Sequence, residues 1–194
     1  MFGNLKTEKI GNLLIYLAQN IDKLYKTKAL KLLYIIDETA IKTYGVPVTW
    51  LEYKAWVHGP VAEEIFDNVN NIENSPFKEY ISVEKPEKNN SLLIANKKFD
   101  DGEFSDAEMD LIDKIIKEYG NFSATELVDL LHQENTLWHR AVNTHNLDTV
   151  FALQNGKSNC VLEFATLLAD DKMKQGIYKA AFDALEFHQS LCKK

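Results

Sequence analysis

Residues 27–45 read TKALKLLYIIDETAIKTYG, and the fold turns on how this stretch is understood. Leu30, Leu33 and Ile41 fall on one side of a 3.6-residue period, and Leu32, Ile35, Ile36 and Ala40 on neighbouring sides. Apolar residues spread this far round the circumference describe a helix packed on several faces. The spacing predicts a central helix from near Thr27 to Tyr44. Gly45 ends it, because glycine takes the left-handed conformation that other residues avoid. Val46-Pro47-Val48 cannot continue it, since proline disfavours helical geometry before it and has no amide to donate. Each aliphatic side chain buried here contributes about 1.5–3 kcal/mol.

Outward from this centre, Ile10, Leu13, Leu14, Leu17 and Ile21 repeat at three- and four-residue steps and predict a preceding helix, with Thr7 as its N-cap. On the other side, Trp50 to His58 is rich in aromatics without a clean period, and fits either a short helix or extended chain. Gly59-Pro60 reads as a turn into a helix with Pro60 at its first position and Glu63 and Glu64 in its first turn. Asn-rich Asn68 to Asn74 stops that helix. Tyr80 to Glu84 and Ser91 to Ala95, joined by the charged turn-rich residues 85–90, predict one β-hairpin.

Ser105 with Glu108 and Ser123 with Glu126 are two capping boxes. They open helices carrying Leu111, Ile112, Ile115, Ile116 and Tyr119, then Leu127, Leu130 and Leu131, with a stop at Tyr119-Gly120-Asn121-Phe122. Asn143 to Asn159 reads as loop with a helical fragment at Thr149 to Leu153. Val161 to Ala169 and Lys172 to Leu191 read as final helices, the last with Ile177, Ala180, Ala181, Ala184 and Leu185 inward. The expected fold is mainly α: a compact multi-helix domain with a small β-hairpin insertion, one domain over residues 1–194.

Composition narrows the function. The chain is 45% hydrophobic and 26% charged, the ordinary globular range. Its net charge is −7 and only one of its 22 basic side chains is an arginine, Arg140. The lysines are interleaved with Asp and Glu, whereas nucleic-acid binders cluster basic residues to neutralise phosphates. Nucleic acid is therefore a poor fit as partner. Cys160 and Cys192 form no disulfide framework. Leu13 to Ala18 is too short for a signal peptide, and no apolar run approaches the ~18–20 residues of a membrane span. These features lead to the expectation of a cytoplasmic protein with no membrane partner.

Reactive constellations are sparse. His132, His139 and His145 invite a metal site with Glu134 nearby, but their spacings do not supply the tight ligand pairs of zinc sites. His132 is read as a helix-end residue whose ring satisfies terminal carbonyls, and Trp138 as a core plug. No nucleophile elbow, phosphate loop or dinucleotide fingerprint occurs. The expectation is no enzyme, no cofactor and no metal.

Three stretches belong together: Lys28-Ala29-Leu30-Lys31-Leu32-Leu33-Tyr34; Gly45-Val46-Pro47 with Tyr53-Lys54-Ala55-Trp56-Val57-His58-Gly59-Pro60-Val61; and Tyr119-Gly120, Ser123 and Leu127 with Leu131-His132 and Trp138-His139-Arg140-Ala141. In this order and spacing they resemble the Panacea (SocA-like) antitoxin family over about residues 28–141, leaving 142–194 as a C-terminal helical extension. The resemblance implies a protein, often bacterial or phage-encoded, that neutralises a toxin encoded beside it by protein–protein contact. Its SocA branch implies an alternative, an adaptor delivering the toxin to a protease. A metal-dependent hydrolase built around His132 and His139 is the reading from another class. The candidate partner-binding residues are Tyr53, Trp56, His58, Gly59 and Pro60. Beside that reading stands a structural one, in which Gly-Pro orients a helix and the aromatics fill the core. Lys28, Lys31, Leu32, Leu33, Tyr34, His132 and Trp138 are the remaining motif residues, with an expected structural role. At His58 the chain departs from the commonest pattern, where an aromatic such as Tyr precedes Gly-Pro.

Overall fold

The computed structural model describes residues 2–87 and 90–191 and is mainly helical, with two small antiparallel hairpins. Helix α2, Lys26–Tyr44, is its centre. Leu32, Leu33, Ile36 and Ile41 are completely buried, and Gly45 closes the helix at φ 83° with its amide on the Ile41 carbonyl. Helix α1, Phe2–Asn20, buries Ile10, Leu13, Leu14 and Leu17. It begins before Thr7, which lies inside the helix and not at its N-cap.

Gly11 explains how α1 meets the hairpin of β3, Ile81–Glu87, and β4, Asn90–Ala95. A Cβ on Gly11 would stand 2.4 Å from the Tyr80 ring. The hairpin pairs Ile81 with Ala95 and Val83 with Leu93, and the register shifts between Glu84 and Glu87. Lys88 and Asn89 of the expected turn lie outside the described residues.

A second hairpin was not foreseen. β1, Lys54–Trp56, pairs with β2, Gly59–Val61, and Pro60 sits opposite Ala55. Pro60 is therefore a strand residue, and helix α3, Glu63–Asn70, starts three residues later with Glu63 and Glu64 in its first turn. Both capping boxes form, opening α4, Asp106–Tyr119, and α5, Ala124–Leu131.

The expected loop from Asn143 is largely helical: α6 spans Leu137–His145 and α7 spans Leu147–Leu153, separated by Asn146 at φ 48°. The expected helix Val161 to Ala169 is corrected to a 3₁₀ turn, Phe164–Leu168. Its first residues are drawn into extended pairing, Val161 bridging Lys54 and the Leu162 amide reaching the Tyr53 carbonyl at 2.8 Å. Helix α8, Lys172–Leu191, lies where expected, but Ile177, Ala180 and Ala184 are exposed; Tyr178, Ala181 and Leu185 are the half-buried side. Among the described residues no helix is long and apolar enough to cross a membrane.

Candidate partner-binding hairpin

The β1–β2 hairpin is short, and isolated two-stranded ribbons are marginal in water. What fixes it comes from outside. The Val57 amide reaches the Gly156 carbonyl at 2.7 Å, the Ala55 amide the Cys160 carbonyl at 2.9 Å, and the Ser158 hydroxyl the Ala55 carbonyl at 2.5 Å. Gly156, at φ +80°, is needed for this approach, since a Cβ there would lie 2.5 Å from the Val57 side chain.

Side chains from the two helical stretches complete the anchorage. Lys31, on the buried face of α2, donates its amine to the Pro60 carbonyl at 2.8 Å. Trp138 of α6 donates its indole N–H to the Trp56 carbonyl at 2.8 Å. Lys28 of α2 donates to the Gly120 carbonyl at 2.5 Å, satisfying the end of α4 as a cation does best. These three bonds join the three sequence stretches pairwise: first to second, second to third, and first to third.

Gly59 is the close point of this knot. It adopts φ +95°, and a Cβ on it would lie 3.2 Å from the Lys31 amine and 3.6 Å from His132 Nε2. Burial pushes the Lys31 amine down to about 7 from its ordinary 10.5. The His132 ring stacks flat on Trp138, centroids 3.7 Å apart and planes 5° from parallel. Its Nε2 is buried without a hydrogen-bond partner, and its backbone amide caps α5 on the Val128 and Leu130 carbonyls. Burial lowers the His132 pKa, and the nearby Lys31 and His58 charges lower it further.

Asp37 holds the connection from α2 to β1. Fully buried, it accepts from the Thr49 amide and the Tyr53 hydroxyl, each at 2.8 Å, and from the Thr49 hydroxyl. Burial raises its pKa to about 6, against the opposing pull of the Thr49 and Tyr53 hydrogen bonds. Tyr34 stands edge-on to Tyr53 at 5.2 Å, its hydroxyl buried without a hydrogen-bond partner.

Of the five residues expected to face a partner, only His58 is exposed. Tyr53, Trp56, Gly59 and Pro60 are buried, because the strand pairing and the Lys31 contact turn them inward. Val57 joins His58 at the exposed tip. Lys28, Lys31, Leu32, Leu33, Tyr34 and Trp138 are all buried, and His132 is half-buried. The sequence did carry a signal for Lys31, which interrupts the apolar run Ala29 to Ile36. Asp37, Thr49, Gly156 and Ser158 carried none, since their partners are distant in the chain.

An open cleft of about 590 Å³ includes His145, Cys160 and Glu163, and burial raises the Cys160 pKa, with Glu163 adding to it. A thiol held protonated is a poor nucleophile. Among the described residues no group of three His, Cys, Asp or Glu side chains is placed to hold a metal.

No curated protein and no solved structure matches the chain. A family model described as the SocA-like antitoxin Panacea domain matches residues 30–139, more than half of the chain. The chain belongs to the SocA-like Panacea-domain family.

Proposed function

We propose that this chain is an antitoxin-like protein that neutralises a cognate protein toxin by direct contact, centred on the Val57-His58 tip. One observation supports the placement: three hydrogen bonds, two of them buried, hold the signature residues to one another and leave this tip as the exposed part of the central motif. A pre-organised loop loses less conformational freedom on binding than a mobile one. Family membership supports the partner's class as protein.

Co-expression with the product of the neighbouring gene tests this reading. The native chain restores growth and co-purifies with that product. The double substitution Val57→Asp, His58→Ala abolishes both while leaving the melting temperature within about 2 °C, as expected for exposed positions. Full rescue by the double variant would contradict the placement. A pulse-chase of the toxin distinguishes occlusion, which leaves its lifetime unchanged, from delivery to a protease, which shortens it.

A further inference from the structure

Residues 159–163 extend the β1–β2 ribbon by a third strand whose outer side is unpaired. They run antiparallel to β1, with Val161 bridging Lys54, the Ala55 amide on the Cys160 carbonyl and the Leu162 amide on the Tyr53 carbonyl. The Ser158 hydroxyl stands between the Cys160 amide and the Ala55 carbonyl and fixes where this edge starts. Alternate residues of an antiparallel ladder turn their amides and carbonyls to opposite sides. Cys160 and Leu162 serve β1, so Asn159, Val161 and Glu163 face away from it. The amides of these three have no hydrogen-bond partner among the described residues. Exposed edges are ordinarily blunted by lysine, proline or a bulge, and residues 159–163 contain neither lysine nor proline.

The same three residues line the cleft of about 590 Å³, together with Leu147 and Val150 of α7. Glu163 is the one Asp, Glu, Lys or Arg in that lining, and it makes no ion pair among the described residues. We propose that an extended segment of the cognate protein adds to this edge as a further strand, with a lysine or arginine meeting Glu163. The inference rests on the antitoxin reading above and gives that contact a second surface beside the tip.

Backbone, charge and position select the occupant. Free amides at every second residue are matched by the main chain of an extended segment, whereas a helix spends its own carbonyls internally. At about 3.3 Å per residue the edge spans about 13 Å, enough for about five residues. An unpaired carboxylate in a chain of charge −7 favours a basic segment. A second copy is a poorer fit, because its edge from Ser158 to Glu163 has no basic residue to meet Glu163. Position ties the edge to the tip: Gly156, three residues before Asn159, accepts from the Val57 amide, so one partner can engage both.

Amide exchange of the full chain, alone and with the neighbouring gene's product, reads the edge directly. Exchange at Val161 and Glu163 is fast in the free chain and slows in the complex. Among overlapping short synthetic peptides covering that product, a basic one binds in fluorescence anisotropy, and N-methylation of its alternate amides, which spares its side chains, abolishes binding. Glu163→Lys weakens product and peptide by about tenfold or more, the scale of a charge-assisted hydrogen bond, with unchanged melting. A peptide whose basic residue is replaced by glutamate recovers affinity for that variant. Product that binds the native chain without slowing exchange at Val161, and binds Glu163→Lys with native affinity, overturns the inference and leaves the antitoxin reading standing. Product that does not bind the native chain overturns both. Slowed exchange at Val161 in the concentrated chain alone, with a doubled mass, also overturns the inference and assigns the edge to a second copy.

Discussion

Two buried ionisable residues on α2 give the molecule a pH signature. Asp37 has a folded pKa near 6, above its ordinary 3.8, so the folded state holds a proton that the unfolded chain releases. Its contribution is fully present below about 3.8 and is lost as pH rises through 6. Lys31 has a folded pKa near 7, below its ordinary 10.5. Between these values the unfolded state binds the extra proton, so the Lys31 penalty is greatest below 7 and stability recovers as pH rises toward 10.5. Melting temperature should fall from pH 4 to 6 and rise from pH 7 to 10. Asp37→Asn should flatten the acid limb and Lys31→Met the alkaline limb, read by calorimetry in matched buffers. Gly11 gives a second test, opposite in sign to helix propensity. Alanine there would gain about 1 kcal/mol in an exposed helix, but its Cβ would meet the Tyr80 ring. Gly11→Ala should lower stability by about 1–3 kcal/mol, the usual cost of overpacking, and stabilise once Tyr80→Ala opens the space. Denaturant midpoints of the four proteins decide it.

At the scale of elements, the hairpin β1–β2 depends on groups distant in sequence. Trp138→Phe removes the indole N–H donated to the Trp56 carbonyl and part of the ring stacked on His132, and should cost about 1–3 kcal/mol. Amide exchange at Ala55 and Val57 should accelerate more than exchange within α1. Gly59→Ala adds strain at φ +95° and crowds the Lys31 amine, and should act in the same direction. This dependence also explains what could be read from sequence. The long helices and both capping boxes were legible because periodicity and caps are local. The hairpin was not, since strands of three residues are too short to display a period of two. Pro60 carried the ordinary signal of a helix start, and its use as a strand residue is decided by Lys31 and by residues 156–162. The 3₁₀ turn was missed for the same reason, because Leu162 is held by the Tyr53 carbonyl.

For the molecule as a whole, the three recognised stretches were legible as a set, but their division of labour was not. Sequence left Tyr53 and Trp56 between a partner surface, where amphipathic rings are common, and the core; the fold buries both and, of the expected partner residues, exposes His58, with Val57 beside it. The inward side of α8 was legible only in part: Ala181 and Leu185 lie on its half-buried side, whereas Ile177, Ala180 and Ala184 are exposed. The central claim is that a buried bond network holds the Val57-His58 tip ready for a toxin. Its most direct measurement is a calorimetric titration of the neighbouring gene's product into the native chain, the tip double variant Val57→Asp, His58→Ala, and Ala180→Glu, a change on the exposed side of α8. The account predicts tight binding by the native chain, at least about a hundredfold weaker binding by the tip variant, a loss of ~2.7 kcal/mol, and near-native binding by Ala180→Glu. Native affinity in the folded tip variant would contradict it.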